Sequence, residues 1–238
     1  MEKEIKKYKL TKEFIELFNG TKLYRIQALK DFYDIKKGEL GGFIEKEENL
    51  SQDGNAWVSG SARVTGSARV IGSARVTDNA WVTGNVWVSG NVWVSGDARV
   101  SGNVRVSGNV RVSGNAMVSG NVRVSGSAWV TGSARVTDNA WISGDARVTD
   151  NARVSGNAMV SGNARVTKSV LNFINFANYN ITAYCDFIQI GCKLHTIKEW
   201  KKIFKDKTYL YEALNENDYK KYELAYKFIL SIYKLDNE

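Results

Sequence analysis

The 238-residue sequence has no proline, one histidine (His195) and only two cysteines, Cys185 and Cys192. Each scarcity excludes something. The lack of proline beside 21 glycines fits long stretches of ladder-bonded backbone in which every N–H is needed. A lone histidine excludes a zinc centre built from several imidazoles, so no metal and no cofactor is expected. The cysteines lie seven apart and outside any CxxC or Cys/His cluster, which suggests reduced cytosolic thiols more than a disulfide framework, with a single disulfide left open. The opening stretch MEKEIKKYKLTKEF lacks the apolar centre of a signal peptide, and no window approaches the apolar run of a bilayer-spanning helix. The chain is therefore expected to be soluble and cytoplasmic. No GK[ST] occurs, so the many glycines are not a phosphate-binding loop.

The net charge is +8, and it is unevenly placed. Residues 1–53 hold eleven basic and eleven acidic side chains, residues 54–167 eleven and five, and residues 168–238 eleven and nine. Most of the excess is arginine in the middle of the chain. That segment divides without insertion into nineteen six-residue units of the form [G/D]-[N/S/D]-[A/V]-[W/R/M]-[V/I]-[S/T], with Ile71 the one departure at the sixth slot. In the unit Gly84 to Ser89, Val86 and Val88 flank Trp87, and this period of two marks a short strand with one buried face. The third slot is always Ala or Val and the fifth is Val, or Ile at Ile142, so the core must be thin and uniform. Gly-Asn, Gly-Ser, Gly-Asp or Asp-Asn pairs then turn a corner at every unit. A short strand and a corner, repeated, make a coil.

These units resemble the hexapeptide repeat of left-handed parallel β-helices, in which three units close a triangular coil of eighteen residues. The flanks YRIQALKDF, GELGGFIEKEENLSQDGNAWV and IGCKLHTIKEW are similar to those of phage and bacterial hexapeptide-repeat proteins of undefined role. The resemblance implies a mainly β protein: an N-terminal β cap (1–53), a left-handed parallel β-helix (54–167) and a C-terminal α/β module with two helices (168–238). It also implies a role in host takeover, including inhibition of a host defence protein. Many left-handed β-helix proteins are acyltransferases, which use a histidine and a loop thrown out from the coils; the repeat here contains neither.

With three units per coil, slots eighteen residues apart stack about 4.8 Å from one another on one face. The first face carries Trp57, Arg75, Trp93, Arg111, Trp129, Arg147 and Arg165; the second Arg63, Trp81, Arg99, Met117, Arg135 and Arg153; the third Arg69, Trp87, Arg105, Arg123, Trp141 and Met159. In this register no Trp lies on another, and every Trp has an Arg as an axial neighbour. A guanidinium over an exposed indole contributes roughly 0.5–1 kcal/mol, so the simplest reading is mutual support of outward-facing side chains. The functional reading is a binding surface, with Trp57, Arg75, Trp93, Arg111, Trp129, Arg147, Trp81, Trp87, Arg99 and Arg105 as candidate residues. A protein is the expected partner. Nucleic acid is the alternative, weakened by arginines spread over three faces and by Asp78, Asp97, Asp138, Asp145 and Asp150 at the corners. No membrane is involved, and a homo-oligomer is left open.

Both ends of such a stack are raw strand edges that need covers. At the first, KLYRIQALKDF reads as a strand and KKGELGG as a turn, with Ile44, Leu50 and Ala56 spaced six apart as if to begin the coil. At the other, the aromatics of KSVLNFINFANYNITAYCDFIQIGC do not fit an Ala/Val core, so the coil should widen or stop. His195 precedes the capping-box pattern Thr196-Ile197-Lys198-Glu199 and is expected to serve helix initiation, not catalysis. A helix is expected from about Ile197 to Phe204. A second, near Asp218 to Leu235, should place Tyr222, Ala225, Tyr226, Ile229, Ile232 and Tyr233 on one side, packed on its own module. The function expected is therefore non-catalytic binding or scaffolding, with nucleic-acid binding and acyl transfer as alternatives.

Overall fold

The computed structural model describes residues 6–168, 170–176, 179–184, 186–191, 193–205 and 216–235. Cys185 and Cys192 lie outside them, as does the question of their pairing. The chain opens with three cap strands, β1 (Tyr8–Glu16), β2 (Lys22–Ala28) and β3 (Leu40–Ile44). Nineteen short strands follow, from β4 (Trp57–Val58) to β22 (Arg165–Val166), one per hexad. They sort into three parallel sheets in which every third strand is a neighbour. Trp93 pairs with Arg75 on one side and Arg111 on the other, and Arg105 with Trp87 and Arg123. Positions eighteen residues apart are thus in register. The fold is a parallel β-solenoid with three strands per turn.

The six-residue period explains each feature. Ala and Val of the third and fifth slots are buried along the whole column and make one continuous core. Backbone N–H groups of one coil donate to carbonyls of the next, as from Arg63 to Ala80 at 2.9 Å and from Trp81 to Ala98 at 2.9 Å. A proline would remove one of these bonds. The first slot turns the corner with a left-handed backbone, which at Gly108 has φ +92. A Cβ there would stand 2.5 Å from the carbonyl oxygen of Gly126 in the next coil, so conformation and space both call for glycine. Where Asp replaces glycine the conformation persists, with φ +61 at Asp78 and +64 at Asp138. Their carboxylates accept the N–H of Gly96 (2.9 Å) and Gly156 (2.8 Å), a local compensation for the strained backbone.

The first coil differs from the expected spacing. Ile44 pairs with Val64 and Leu50 bridges to Val70, each twenty residues on, so both occupy the valine row of the core. The next residue of that row is Val58, which pairs with Val76; Ala56 is buried but belongs to the other row. Two extra residues therefore enlarge the corner between Leu50 and Val58. The buried Lys7 fills it, its Nζ donating to the carbonyls of Ala56 (2.9 Å), Asp53 (3.3 Å) and Gly54 (3.4 Å). These are carbonyls at the raw end of the column, and the lysine acts as their cap.

At the far end Val170 donates its N–H to the carbonyl of Arg153 (2.8 Å), and Tyr184 continues the column's core with Phe187 and Leu194 packed against it. Strands β23 (Leu171–Phe176), β24 (Tyr179–Tyr184), β25 (Phe187–Ile190) and β26 (Lys193–Thr196) form an antiparallel sheet. The coil stops where the aromatics begin, as expected. Helices α1 (Ile197–Lys205) and α2 (Glu216–Leu235) pack on this sheet around Trp200, whose Nε1 donates to the carbonyl of Ile188 at 2.7 Å. Tyr222, Ala225, Tyr226 and Ile229 of α2 are buried there together with Tyr219, and Ile232 is half-buried; the Tyr233 side chain lies outside the described ones. Among the described residues, no helix is long and apolar enough to cross a membrane.

Candidate functional site

The fourth slot of each hexad sits between two buried positions on a two-residue strand, so its side chain projects from the flat of a sheet. The strand pairing reproduces all three ladders in the expected order. No indole lies on another. Guanidiniums stack on indoles at Arg63–Trp81 (5.9 Å), Arg69–Trp87 (5.3 Å), Arg123–Trp141 (5.8 Å) and Arg111–Trp93 (6.0 Å). Trp129 is held on both sides, by Arg111 at 5.0 Å and Arg147 at 4.7 Å. Because the partners sit above and below in the ladder, the stacked ring faces look along the column axis, and Trp93 also donates its Nε1–H to Thr77 Oγ1 of the neighbouring coil at 3.3 Å.

Three departures matter. Trp57, expected on the outside, is fully buried beneath the N-terminal cap, edge-to-face with Tyr8 (6.3 Å) and Phe32 (5.4 Å). Arg75, also taken as a surface candidate, is turned to the cap as well, over the Tyr33 ring at 5.1 Å and ion-paired with Asp34. The cap thus takes the first two rungs of the first ladder out of any binding surface. Third, alternation fails at Arg105–Arg123, Arg135–Arg153 and Arg147–Arg165, where arginines occupy adjacent rungs. Like charges directly opposite in a sheet are unfavourable. Arg105, Arg123, Arg135 and Arg153 are exposed and make no salt bridge among the described residues.

The ladders differ in how much is uncovered. The second has Arg63, Trp81 and Met117 half-buried along a shallow groove that also exposes Asp97 and Arg99. The third, from Arg69 to Met159, is exposed at every rung. Of the candidate residues, Trp93, Arg111, Trp129 and Arg147 share the first face, Trp81 and Arg99 the second, and Trp87 and Arg105 the third. Beside the third ladder runs a chain the sequence reading missed: the side-chain amides of Asn85, Asn103, Asn121, Asn139 and Asn157, each donating to the next at 3.0–3.1 Å. Its signal was asparagine at the second slot at a spacing of eighteen. This amide chain fixes one edge of the third face.

His195 lies on β26, edge-to-face with Trp200 at 4.8 Å, and burial pulls its pKa below the usual value against the opposing pull of Glu199. The helix start itself is made by its neighbour: Glu199 N–H donates to Thr196 Oγ1 (3.1 Å) and Thr196 N–H to Glu199 Oε2 (2.8 Å). His195 packs where the expectation had it initiate. Among the described residues no cluster of three or more His, Cys, Asp or Glu is arranged to hold a metal ion.

A model of the polymer-forming cytoskeletal bactofilins matches residues 56–157, and a model of the YdcK β-solenoid repeat matches residues 152–168. The chain is similar to β-solenoid proteins. A protein of Escherichia coli strain K12 named uncharacterized acetyltransferase YdcK is 39% identical over 61 residues, covering 23% of this chain. The match spans about a fifth, 19%, of that relative's length.

Proposed function

We propose that this chain is a non-catalytic binding rod that acts through macromolecular contact made by the indoles and guanidiniums of its outer faces, with a protein as partner. The observation that carries this is the exposure of Trp87 (39%), Trp93 (48%), Trp129 (36%) and Trp141 (41%) on a column with a rigid, fully bonded backbone. Tryptophan and arginine are among the residues most enriched at interface hot spots, and four exposed indoles interleaved with guanidiniums on two faces supply several such anchors. The Trp–Arg stacking holds each side chain in place before contact, which reduces the ordering cost of binding. Nucleic acid fits less well. Bases need ring faces to stack on, and here a guanidinium already occupies one face of Trp81, Trp87, Trp93 and Trp141 and both faces of Trp129. No ladder offers more than two successive arginines, so indoles and methionines interrupt the positive charge along each face and a strand meets no continuous phosphate-binding stripe.

The relative's name favours a second reading, acetyl-group transfer. The aligned stretch is a fifth of that protein, and the hexads of this chain contain no histidine or cysteine. Calorimetric binding of a thioester acyl donor would support it. Polymer formation, suggested by the bactofilin match, meets an obstacle at the ends: Lys7, Tyr8 and Phe32 cover one and Val170, Tyr184, Phe187 and Leu194 the other. The binding reading is tested by quantitative affinity capture from the source cell with the wild type and with a Trp87, Trp93, Trp129 and Trp141 to serine variant. A partner retained by the wild type alone is expected. Identical capture by both would refute the reading.

A further inference from the structure

The third face differs from the other two. Its ladder is exposed at every rung, although the last, Met159, lines a shallow groove shared with Tyr179, Thr182 and Gln189 of the C-terminal module. At its centre two guanidiniums, Arg105 and Arg123, stand on adjacent rungs about 4.8 Å apart. Trp87 lies one rung beyond on one side and Trp141 one rung beyond on the other. The order along the axis is therefore Trp, Arg, Arg, Trp over about 14 Å. Neither arginine has a carboxylate within salt-bridge distance among the described residues, so the like charges of the pair stand opposite one another without a counter-charge from those residues. Arg123 is exposed and stacks on Trp141, its guanidinium 5.8 Å from the ring centroid. Two exposed fork-shaped donors, Arg123 held by its indole partner, between two exposed indoles are complementary to two carboxylates between two apolar groups.

The rung spacing selects the conformation of such a partner. An extended strand presents same-face side chains every 6.6–6.8 Å or so and would be about 6 Å out of step by the fourth rung. An α-helix rises about 1.5 Å per residue, so residues i+4 and i+7 lie about 4.5 Å apart, close to the arginine separation. Positions i and i+11 fall about 6 Å beyond them, and all four lie within roughly 60° of arc. A helix lying along the column with apolar residues at i and i+11 and acidic residues at i+4 and i+7 thus meets all four rungs. We infer that the third face is a docking surface for an acidic amphipathic helix of a partner protein, with Arg105 and Arg123 pairing its two carboxylates and Trp87 and Trp141 its apolar flanks. This rests on the binding reading above and assigns it a face and a partner chemistry.

The probe is a fluorescein-labelled 15-residue peptide with Leu, Glu, Glu and Leu at positions 2, 6, 9 and 13 in an Ala/Gln background, titrated with the full chain by fluorescence anisotropy. Substituting Arg105→Gln and Arg123→Gln together should weaken binding at least tenfold. Arg135→Gln with Arg153→Gln, the same charge change on the second face, should change it less than twofold. A peptide with its glutamates moved to positions 4 and 11 should also bind at least tenfold more weakly. Circular dichroism melts of both double variants check that the column is intact. Equal weakening by the two double variants, or equal binding of the two peptides, overturns the face and helix assignment while leaving the binding reading standing. Tighter binding of a 15-nucleotide oligothymidylate through the same arginines assigns the face to nucleic acid and overturns the inference. Failure of the wild type to bind either probe, with identical capture in the tryptophan-variant experiment, removes both.

Discussion

Trp57 and Trp141 occupy the same slot of the same repeat, yet the structure places them in opposite surroundings, and alanine substitutions at the two sites should separate sharply. Trp57 is completely buried, with Tyr8 and Phe32 edge-on to its ring, so its removal leaves a cavity under the cap. Large-to-small substitutions of buried tryptophan cost about 3–5 kcal/mol. Its Nε1 is buried without an acceptor among the described residues, and removing that unpaired donor offsets part of the loss, which sets the expectation near the lower end, about 3 kcal/mol. Trp141 is 41% exposed and stacks on Arg123. Its loss removes one exposed cation–π contact of roughly 0.5–1 kcal/mol and some partial burial, for a total on the order of 1 kcal/mol. Urea unfolding followed by far-ultraviolet circular dichroism, compared at unchanged slope, measures the difference. A gap of about 2 kcal/mol is expected. Costs equal within 0.5 kcal/mol would refute the burial of the first rung by the N-terminal cap.

Three further outcomes follow from the same geometry. Gly108→Ala should destabilise more than Gly162→Ala by about 1–3 kcal/mol: both place alanine at positive φ, but only at position 108 does the new Cβ meet the next coil; equal melting-temperature shifts would argue against stacking of the corners. Burial lowers the Lys7 pKa from 10.5 to about 8, so between those values the unfolded chain binds the proton and the folded chain does not. Stability attributable to Lys7 should rise with pH in that window, and the unfolding free energy of the wild type, measured in urea, should gain roughly 1–2 kcal/mol on that of Lys7→Met between pH 7.5 and 9.5; a constant gap would contradict the burial. Asn121→Ala, which breaks the amide chain at its middle, should cost about 1–2 kcal/mol by thermal unfolding, whereas Asn115→Ala, outside that chain, should cost clearly less.

The repeat was legible because its physics is local. A six-residue period fixes the strand, the corner and the buried pair within each unit, and the eighteen-residue register then orders every ladder without further information. What escaped depends on contacts between distant segments. Trp57 reads like any other fourth-slot tryptophan, and its burial comes from Tyr8 and Phe32, which the repeat does not encode. Strand β1, KYKLTKEFIE in its surroundings, carries alternating charges that blur the period of two, and it becomes a strand by pairing with β2. The two extra residues of the first corner are invisible in the spacing of Ile44 and Leu50 and have their reason in Lys7. The amide chain of Asn85 to Asn157 has a local signal, asparagine at the second slot repeated at eighteen, but its hydrogen bonds form only between stacked coils. The uncovered third face required knowing where both end modules lie.

The arrangement of the outer rungs is tested most directly by cysteine cross-linking, since adjacent parallel strands bring their Cα atoms to about 4.8 Å, within disulfide range. A variant with Arg105→Cys and Arg123→Cys and one with Arg105→Cys and Arg111→Cys would be oxidised under mild conditions and mapped by peptide mass spectrometry. A rapid bond between positions 105 and 123, with none between 105 and 111, is the predicted result. A bond that forms as readily between 105 and 111 would contradict it.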